Sequence, residues 1–151
     1  MTHDDIRARL LGAWRLVTWQ SIGPDGSVGY PLGPDAIGQL SYDDSGRVSA
    51  QLVRVHQPRF ASDDWQLATD DEKQAAWPGY FGYFGTFGID TDAEIVTHHI
   101  LGGWFPNLAG TDQIRHYRFE GRDLVLDADT TWGQVRIVWA PPAKPAKSWL
   151  F

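Results

Sequence analysis

Ile37-Gly38-Gln39-Leu40-Ser41-Tyr42 and Arg47-Val48-Ser49-Ala50-Gln51-Leu52 flank the tetrapeptide Asp43-Asp44-Ser45-Gly46. Alternation of period two runs through 37–42 and again through 47–56, which is the mark of strands whose side chains point to opposite faces in turn. Asp, Ser and Gly between them supply the short side-chain acceptors and the positive-φ residue of a tight turn, so the whole run reads as a β-hairpin. Val48, Ala50 and Leu52 share one face of its second strand, and Ser49, Gln51 and Val53 share the other.

The same grammar extends outward from the hairpin. Upstream, residues 12–22 are rich in β-branched and aromatic side chains and end at Gly23-Pro24-Asp25-Gly26, a strand followed by a turn. Before them, residues 2–10 predict a short helix: Thr2 and Asp5 have the spacing of a capping box, and Ile6, Leu10 and Leu11 face inward. Tyr30-Pro31-Leu32-Gly33-Pro34-Asp35 is extended loop, because two prolines cannot donate to a ladder. Downstream, Ser62 to Trp77 predicts one helix, capped by Ser62 and stopped at Pro78-Gly79. Its thin apolar stripe (Trp65, Ala68, Ala75, Ala76) suits a lid or flank lying on the surface. Strands then follow at 80–89, 94–105, 112–120, 123–128 and 132–140, joined by turns so short that neighbours must pair antiparallel. The proline-rich tail at 141–145 does not suit a strand interior.

About eight strands, each joined to its neighbour, form either a sandwich or a closed up-and-down barrel, and closure removes the exposed edges. A barrel of about eight strands is wide enough inside for side chains or for one small ligand. The 151 residues carry no internal repeat or linker and predict a single domain spanning 1–151. There is no Cys, which excludes a thiol nucleophile, a Cys-based zinc site and a disulfide framework. The net charge is −6 and the acidic residues fall in pairs, with no Lys/Arg cluster to neutralise phosphates, so nucleic acid is not an expected partner. No apolar run reaches the roughly 18 residues of a membrane span, and the start of the chain lacks a signal-peptide core. These features predict a soluble, cytoplasmic protein without a membrane partner. Aromatics make up 13% of the chain, with 8 Trp, which fits either a heavily aromatic core or an aromatic ligand cavity.

The strand at 94–105 holds the side chains most suited to chemistry. Val96, His98, Ile100, Gly102 and Trp104 share one face, and Ile95, Thr97, His99, Leu101, Gly103 and Phe105 the other. His98 and His99 therefore point opposite ways, and the sequence does not decide which faces inward. The same opposition argues against a two-His metal site on this strand. A site gathered from His56, one of the pair and His116 is geometrically open, but no ligand-motif spacing supports it, and no metal is expected. On the next strand Gln113, Arg115, Tyr117 and Phe119 share the face taken to be inward. A buried guanidinium without partners costs several kcal/mol, so Arg115 requires an answer: a Trp face at the closed end, main-chain carbonyls, or a ligand oxygen. The Gly-rich run at 79–88 has neither the following Lys nor the strand–turn–helix context of a phosphate loop. Tyr80 and Tyr83 lie on opposite faces of it, which brings one hydroxyl toward the cavity. No Gly-x-Ser-x-Gly elbow is present.

An ordered set of motifs resembles the lipocalin-like domain of small bacterial and fungal proteins, within the calycin group. The set begins at Leu11-Gly12-Ala13-Trp14-Arg15-Leu16-Val17 and continues through Tyr30-Pro31-Leu32-Gly33 and Gly38-Gln39-Leu40-Ser41-Tyr42. It passes Gly46-Arg47-Val48-Ser49-Ala50-Gln51-Leu52, with Val48 where the family usually has Met, and Tyr83-Phe84-Gly85-Thr86-Phe87. It ends at Val96-Thr97-His98-His99, Pro106-Asn107 and Gly110-Thr111-Asp112-Gln113-Ile114-Arg115, the most specific part. The resemblance implies an all-β fold, an antiparallel up-and-down β-barrel of about eight strands with a short N-terminal helix, one flanking helix and a central cavity. It implies a small-molecule binder, with some members tied to secondary-metabolite or degradative pathways as isomerases, cyclases or dehydratases. His98, Asn107, Gln113 and Arg115 carry over as recurring polar positions, and Trp14 as the structural Trp of the barrel floor, with Arg115 or Arg136 as its partner.

Three functions follow as expectations. The first is binding of a small hydrophobic or aromatic, polyketide-like ligand by Tyr83, His98, Trp104, Asn107, Gln113, Arg115 and Tyr117. The second is cofactor-independent acid–base chemistry in the same cavity, with His98 as proton shuttle and Arg115 stabilising an oxyanion. The third is an interaction module built on exposed Trp side chains. No cofactor is implied, and a homodimer stays open.

Overall fold

The computed structural model describes residues 1–142; the part of the proline-rich tail beyond them lies outside the described residues. Helix α1 (His3–Leu10) is followed by strands β1 (Gly12–Ile22), β2 (Val28–Gly29), β3 (Ile37–Tyr42) and β4 (Arg47–Val53). Helix α2 (Asp70–Ala76) precedes β5 (Tyr80–Asp90), β6 (Ile95–Gly103), β7 (Asp112–Glu120), β8 (Asp123–Thr130) and β9 (Gly133–Ala140). Every strand pairs antiparallel with its neighbours in the order β2-β1-β3-β4-β5-β6-β7-β8-β9, and β1 also pairs with β9. That last pairing, from Arg15↔Ala140 to Ile22↔Gln134, closes eight strands into a barrel. The two-residue β2 is an appendage on the far end of β1, which sequence alternation missed because it is too short to show a period.

The expected hairpin is present with Ile37↔Val53 and Tyr42↔Val48 in register, so Leu40 and Tyr42 face the same interior as Val48, Ala50 and Leu52. The second strand stops at Val53 rather than at His56, where φ turns positive. The segment expected to be one helix over 62–77 is broken into a 3-10 turn (Trp65–Leu67), α2 and a second 3-10 turn (Trp77–Gly79). The cap is Thr69, in a capping box with Glu72, and not Ser62. Two competing cap signals in one short run divided it, and with no buried residue in α2 there is no packing face to hold a longer helix together.

At one end α1 seals the barrel. Thr2 and Asp5 form both bonds of the capping box, Ile6 and Leu10 are buried, and Arg7 and Arg9 donate to the carbonyls of Asp44 and Gly121 in two of the turns there. Trp14 is buried beneath the helix and its Nε1–H donates to the Leu10 carbonyl at 2.8 Å. The expected pairing of Trp14 with Arg115 or Arg136 is thus corrected: a helix-end carbonyl satisfies the indole, Arg136 is bound to Asp127, and among the described residues the cation found over a ring is Arg9 on Phe119. A carbonyl left orphaned at a helix C-terminus is a ready acceptor for such a donor.

One close approach sets the position of the interior side chains. The β5–β6 register shifts between Phe84 and Gly85, and a Cβ at Gly85 would collide with the His99 carbonyl while lying 3.1 Å from Ile100 Cα. Only the missing side chain lets β5 sit this close to β6 and hold Tyr83 against the inner face of β6. Gly85→Ala is therefore expected to cost about 1–3 kcal/mol, as overpacking usually does. The effect is read as a lower urea midpoint at unchanged slope; an unchanged midpoint would show that the backbone contact carries no stability.

Candidate functional site

The barrel is hollow. A cavity of about 350 Å³ opens at the end opposite α1, beside the β8–β9 turn at Thr130, Thr131 and Trp132. Its wall is apolar: Trp19 and Phe81 meet edge to face at 5.3 Å, and Leu40, Leu52, Leu126, Ile137 and Trp139 continue the lining. Besides Asp129, Thr130 and Thr131 at the mouth, the polar lining is one group of four, Tyr83, His98, Gln113 and Arg115. Each comes from the inward-facing set of its strand, Tyr83 from β5, His98 from β6, Gln113 and Arg115 from β7. The register places His98 opposite Gln113 and Val96 opposite Arg115.

His98 is the centre of this floor. It is 1% exposed, and both ring nitrogens are taken: Nε2 lies 2.7 Å from the Tyr42 hydroxyl and Nδ1 lies 2.5 Å from the Tyr83 hydroxyl. Burial, then the positive charge of Arg115 and then His99, holds its pKa well below the ordinary 6.5, so the ring is neutral. Burial raises both tyrosines above 10.0; the neighbouring Tyr83 adds to the rise at Tyr42, while Arg115 opposes it at both. The charge of Arg115 lies near enough to Tyr83 to offset part of the rise that burial causes, and its Nη1 donates to the Ile114 carbonyl at 3.1 Å. Among the described residues no carboxylate pairs with it. Gln113 donates to Thr111 Oγ1 at 2.9 Å.

A lipocalin-like domain is matched over residues 11–139, which is most of the chain. This chain belongs to that family. No curated protein matches its sequence. Solved structures similar to it include a redesigned beta barrel at 12% identity, with 91% of this chain and 95% of that chain covered and a TM-score of 0.46. A fatty acid transporter, REP1-NXSQ, matches at 11% identity over 91% of this chain and 99% of its own, with a TM-score of 0.43. A variant of the fluorescent protein UnaG matches at 8% identity over 91% and 99%, with a TM-score of 0.44.

Of the seven side chains expected to bind ligand, four meet in the cavity of this lipocalin-like domain: Tyr83, His98, Gln113 and Arg115. Between the two histidines left open by alternation, His98 is inside and His99 is outside, exposed and bound to Asp112 at 2.7 Å. The other three do not line the cavity. Trp104 lies past the end of the β6 ladder at Gly103 and packs on Phe81 (4.7 Å) and Trp77 (5.4 Å). Asn107 is exposed on the 3-10 turn Pro106–Leu108, whose Leu108 reaches the cavity instead. Tyr117 is buried, but at the sealed end beside Phe119, where burial and the charges of Glu94 and Asp90 raise its pKa. Among the described residues no three His, Cys, Asp or Glu side chains converge as metal ligands; His56 and His116 are exposed.

Two groups of site residues escaped the sequence reading. Tyr42 was legible in principle, because it shares the face of Leu40 at the end of β3, yet it packs its ring on Phe87, bonds His98 and stays behind the cavity wall. Trp132, Thr131 and Thr130 sit at the mouth on a turn, where no periodicity marks them.

The neutral state of His98 has a pH consequence. The unfolded imidazole takes a proton below about 6.5 while the folded one does not, so the unfolded state binds more protons and stability falls as pH drops through that value. The slope attributable to one such group approaches about 1.4 kcal/mol per pH unit. Wild-type unfolding free energy is expected to decline between pH 6.5 and 5, above the range of the acidic side chains, and His98→Gln is expected to flatten that decline. Parallel curves for the two proteins would show that His98 is not held neutral.

Proposed function

We propose that this lipocalin-like domain binds one small, partly apolar molecule, aromatic or polyketide-like, inside its barrel. The observation that carries the proposal is the cavity: about 350 Å³, walled by aromatic and aliphatic side chains, with Tyr83, His98, Gln113 and Arg115 grouped inside it and a few further polar side chains at its mouth. Ligand pockets run from roughly 300 to 1,000 Å³ and share this division between an apolar wall and a few placed polar groups. An acidic, cysteine-free chain suits a cytoplasmic setting for such a binder. Trp19 and Trp139 in the wall give binding a direct signal. Titration with a neutral naphthalene derivative is expected to quench or shift intrinsic Trp fluorescence in a saturable way. Ala50→Phe, which places a ring in the cavity, is expected to remove the response while leaving the thermal transition in place. A response that survives in Ala50→Phe places the ligand elsewhere and removes the proposal.

A second reading has the same floor act as a cofactor-independent isomerase, cyclase or dehydratase. The chain Tyr42–His98–Tyr83 ending beside Arg115 favours it, because a proton can pass along hydrogen-bonded groups next to a cation that stabilises an oxyanion. Since tyrosines hold both nitrogens of His98, exchange with a ligand runs through the Tyr83 hydroxyl, with His98 behind it. Hydrogen–deuterium exchange at the α-carbon of an enolisable aryl ketone such as 1-indanone tests this. Wild type is expected to accelerate it and both His98→Gln and Tyr83→Phe to lose most of the acceleration; a wild-type rate equal to buffer rules the enzyme reading out.

A further inference from the structure

Counting donors and acceptors along the floor fixes the direction of its hydrogen bonds. A neutral imidazole has one N–H donor and one acceptor nitrogen, so one tyrosine must donate to His98 and the other must accept from it. Tyr42 is 1% exposed, does not line the cavity and has no hydrogen-bond partner besides His98 among the described residues. If Tyr42 accepted from Nε2, its own hydroxyl proton would be buried without an acceptor, at the desolvation cost of an unmade hydrogen bond. Tyr42 therefore donates to Nε2. The proton of His98 is on Nδ1 and donates to the Tyr83 oxygen. The Tyr83 hydroxyl proton, which cannot be accepted by Arg115, is left for whatever occupies the cavity.

The floor thus presents the Tyr83 hydroxyl beside the cationic Arg115, whose only hydrogen bond among the described residues goes to a carbonyl of its own strand. The one carboxylate in the cavity lining, Asp129, is near the mouth, next to the last residue of β8, and accepts from Gln134 at 3.3 Å. Donors and positive charge are in excess at this end of the cavity, and among the described residues no carboxylate answers the guanidinium. We propose that this floor receives an anionic oxygen, the carboxylate or enolate of an otherwise apolar ligand, on the Tyr83 hydroxyl and the Arg115 guanidinium. In this arrangement Tyr42 is a positioning residue. It never touches the ligand, but by fixing the His98 tautomer it turns the Tyr83 proton outward. The inference rests on the reading that the barrel binds a small molecule, and it adds the chemical class of that molecule and the residue that orients its receptor.

A matched pair of probes, 2-naphthylacetate and 2-naphthylacetamide, separates the two levels by calorimetry. The acid is expected to bind at least about tenfold tighter than the amide, because hydrogen bonds to a charged acceptor are roughly twice as strong as neutral ones. Arg115→Gln is expected to bring the acid down to the level of the amide. Tyr42→Phe frees the tautomer, lets Tyr83 donate back to His98, and is expected to weaken the acid about three- to tenfold with little change for the amide. Equal affinity for acid and amide in wild type overturns this inference while leaving the cavity as a binding site; binding of neither overturns the binding reading itself. Ring nitrogen chemical shifts of His98 in the wild-type protein give an independent reading that needs no variant. A protonated Nδ1 with a bare Nε2 is expected, and the opposite tautomer overturns the role given to Tyr42.

Discussion

The pairing of β1 with β9 is the constraint on which the rest of the molecule depends. β1 is long enough to hold β3 with its first residues and β9 with the remainder, from Arg15 to Ile22, so that the sheet returns on itself. Closure leaves no free edge along the main strands. It also encloses the inward side chains of eight strands, and any polar atom among them must find its partner inside. His98 is the one buried polar residue among the described residues that meets this demand deep in the barrel. It does so by taking a tyrosine on each side, one from β3 and one from β5. Three strands that are not all neighbours are tied together by two hydrogen bonds, and the same two bonds form the floor of the cavity.

The hollow itself follows from how the two ends differ. At the sealed end the helix supplies Ile6 and Leu10, Trp14 lies beneath them, and Tyr117 and Phe119 complete the packing. Above the His98 layer the inward residues are ring faces and branched aliphatics arranged around a gap instead of interleaved across it. The indole N–H of Trp19 is buried in this wall without a protein partner, a further sign that the layer is not packed to satisfy its own polar atoms. Positive charge and hydroxyl donors at the bottom, apolar walls above and a turn at the mouth give a vessel with a defined polarity along its axis.

Much of this was legible in the sequence, and the misses have a common cause. Alternation located the strands and grouped their side chains by face, and the face it took as inward on β7 does carry Gln113 and Arg115 into the cavity, as the face of Ala50 and Leu52 does on β4; which of Tyr80 and Tyr83, and of His98 and His99, points in it left open. Alternation gives the face of a side chain but not its height along the barrel. Tyr117 was therefore grouped with Arg115, although it lies one step deeper, under the floor and against the sealed end. It also fails where a ladder stops. Trp104 continues the face of His98 on paper, but β6 ends at Gly103 and the ring turns to Phe81 and Trp77. Which of His98 and His99 faces in is a matter of register, fixed by the bulge at Gly85 and by pairing with β7, and pairing partners are not written in a single strand. Tyr42 was missed for a different reason: its role lies in a contact with a residue 56 positions away.

A crystal structure of the protein soaked with an aromatic carboxylic acid tests the central claim most directly. The carboxylate is expected within hydrogen-bonding distance of both Tyr83 Oη and an Arg115 nitrogen, with the ring between Trp19 and Leu126. An acid seated with its carboxylate at the mouth, near Thr131, or a cavity left empty beside an acid bound on the outer surface, would contradict it.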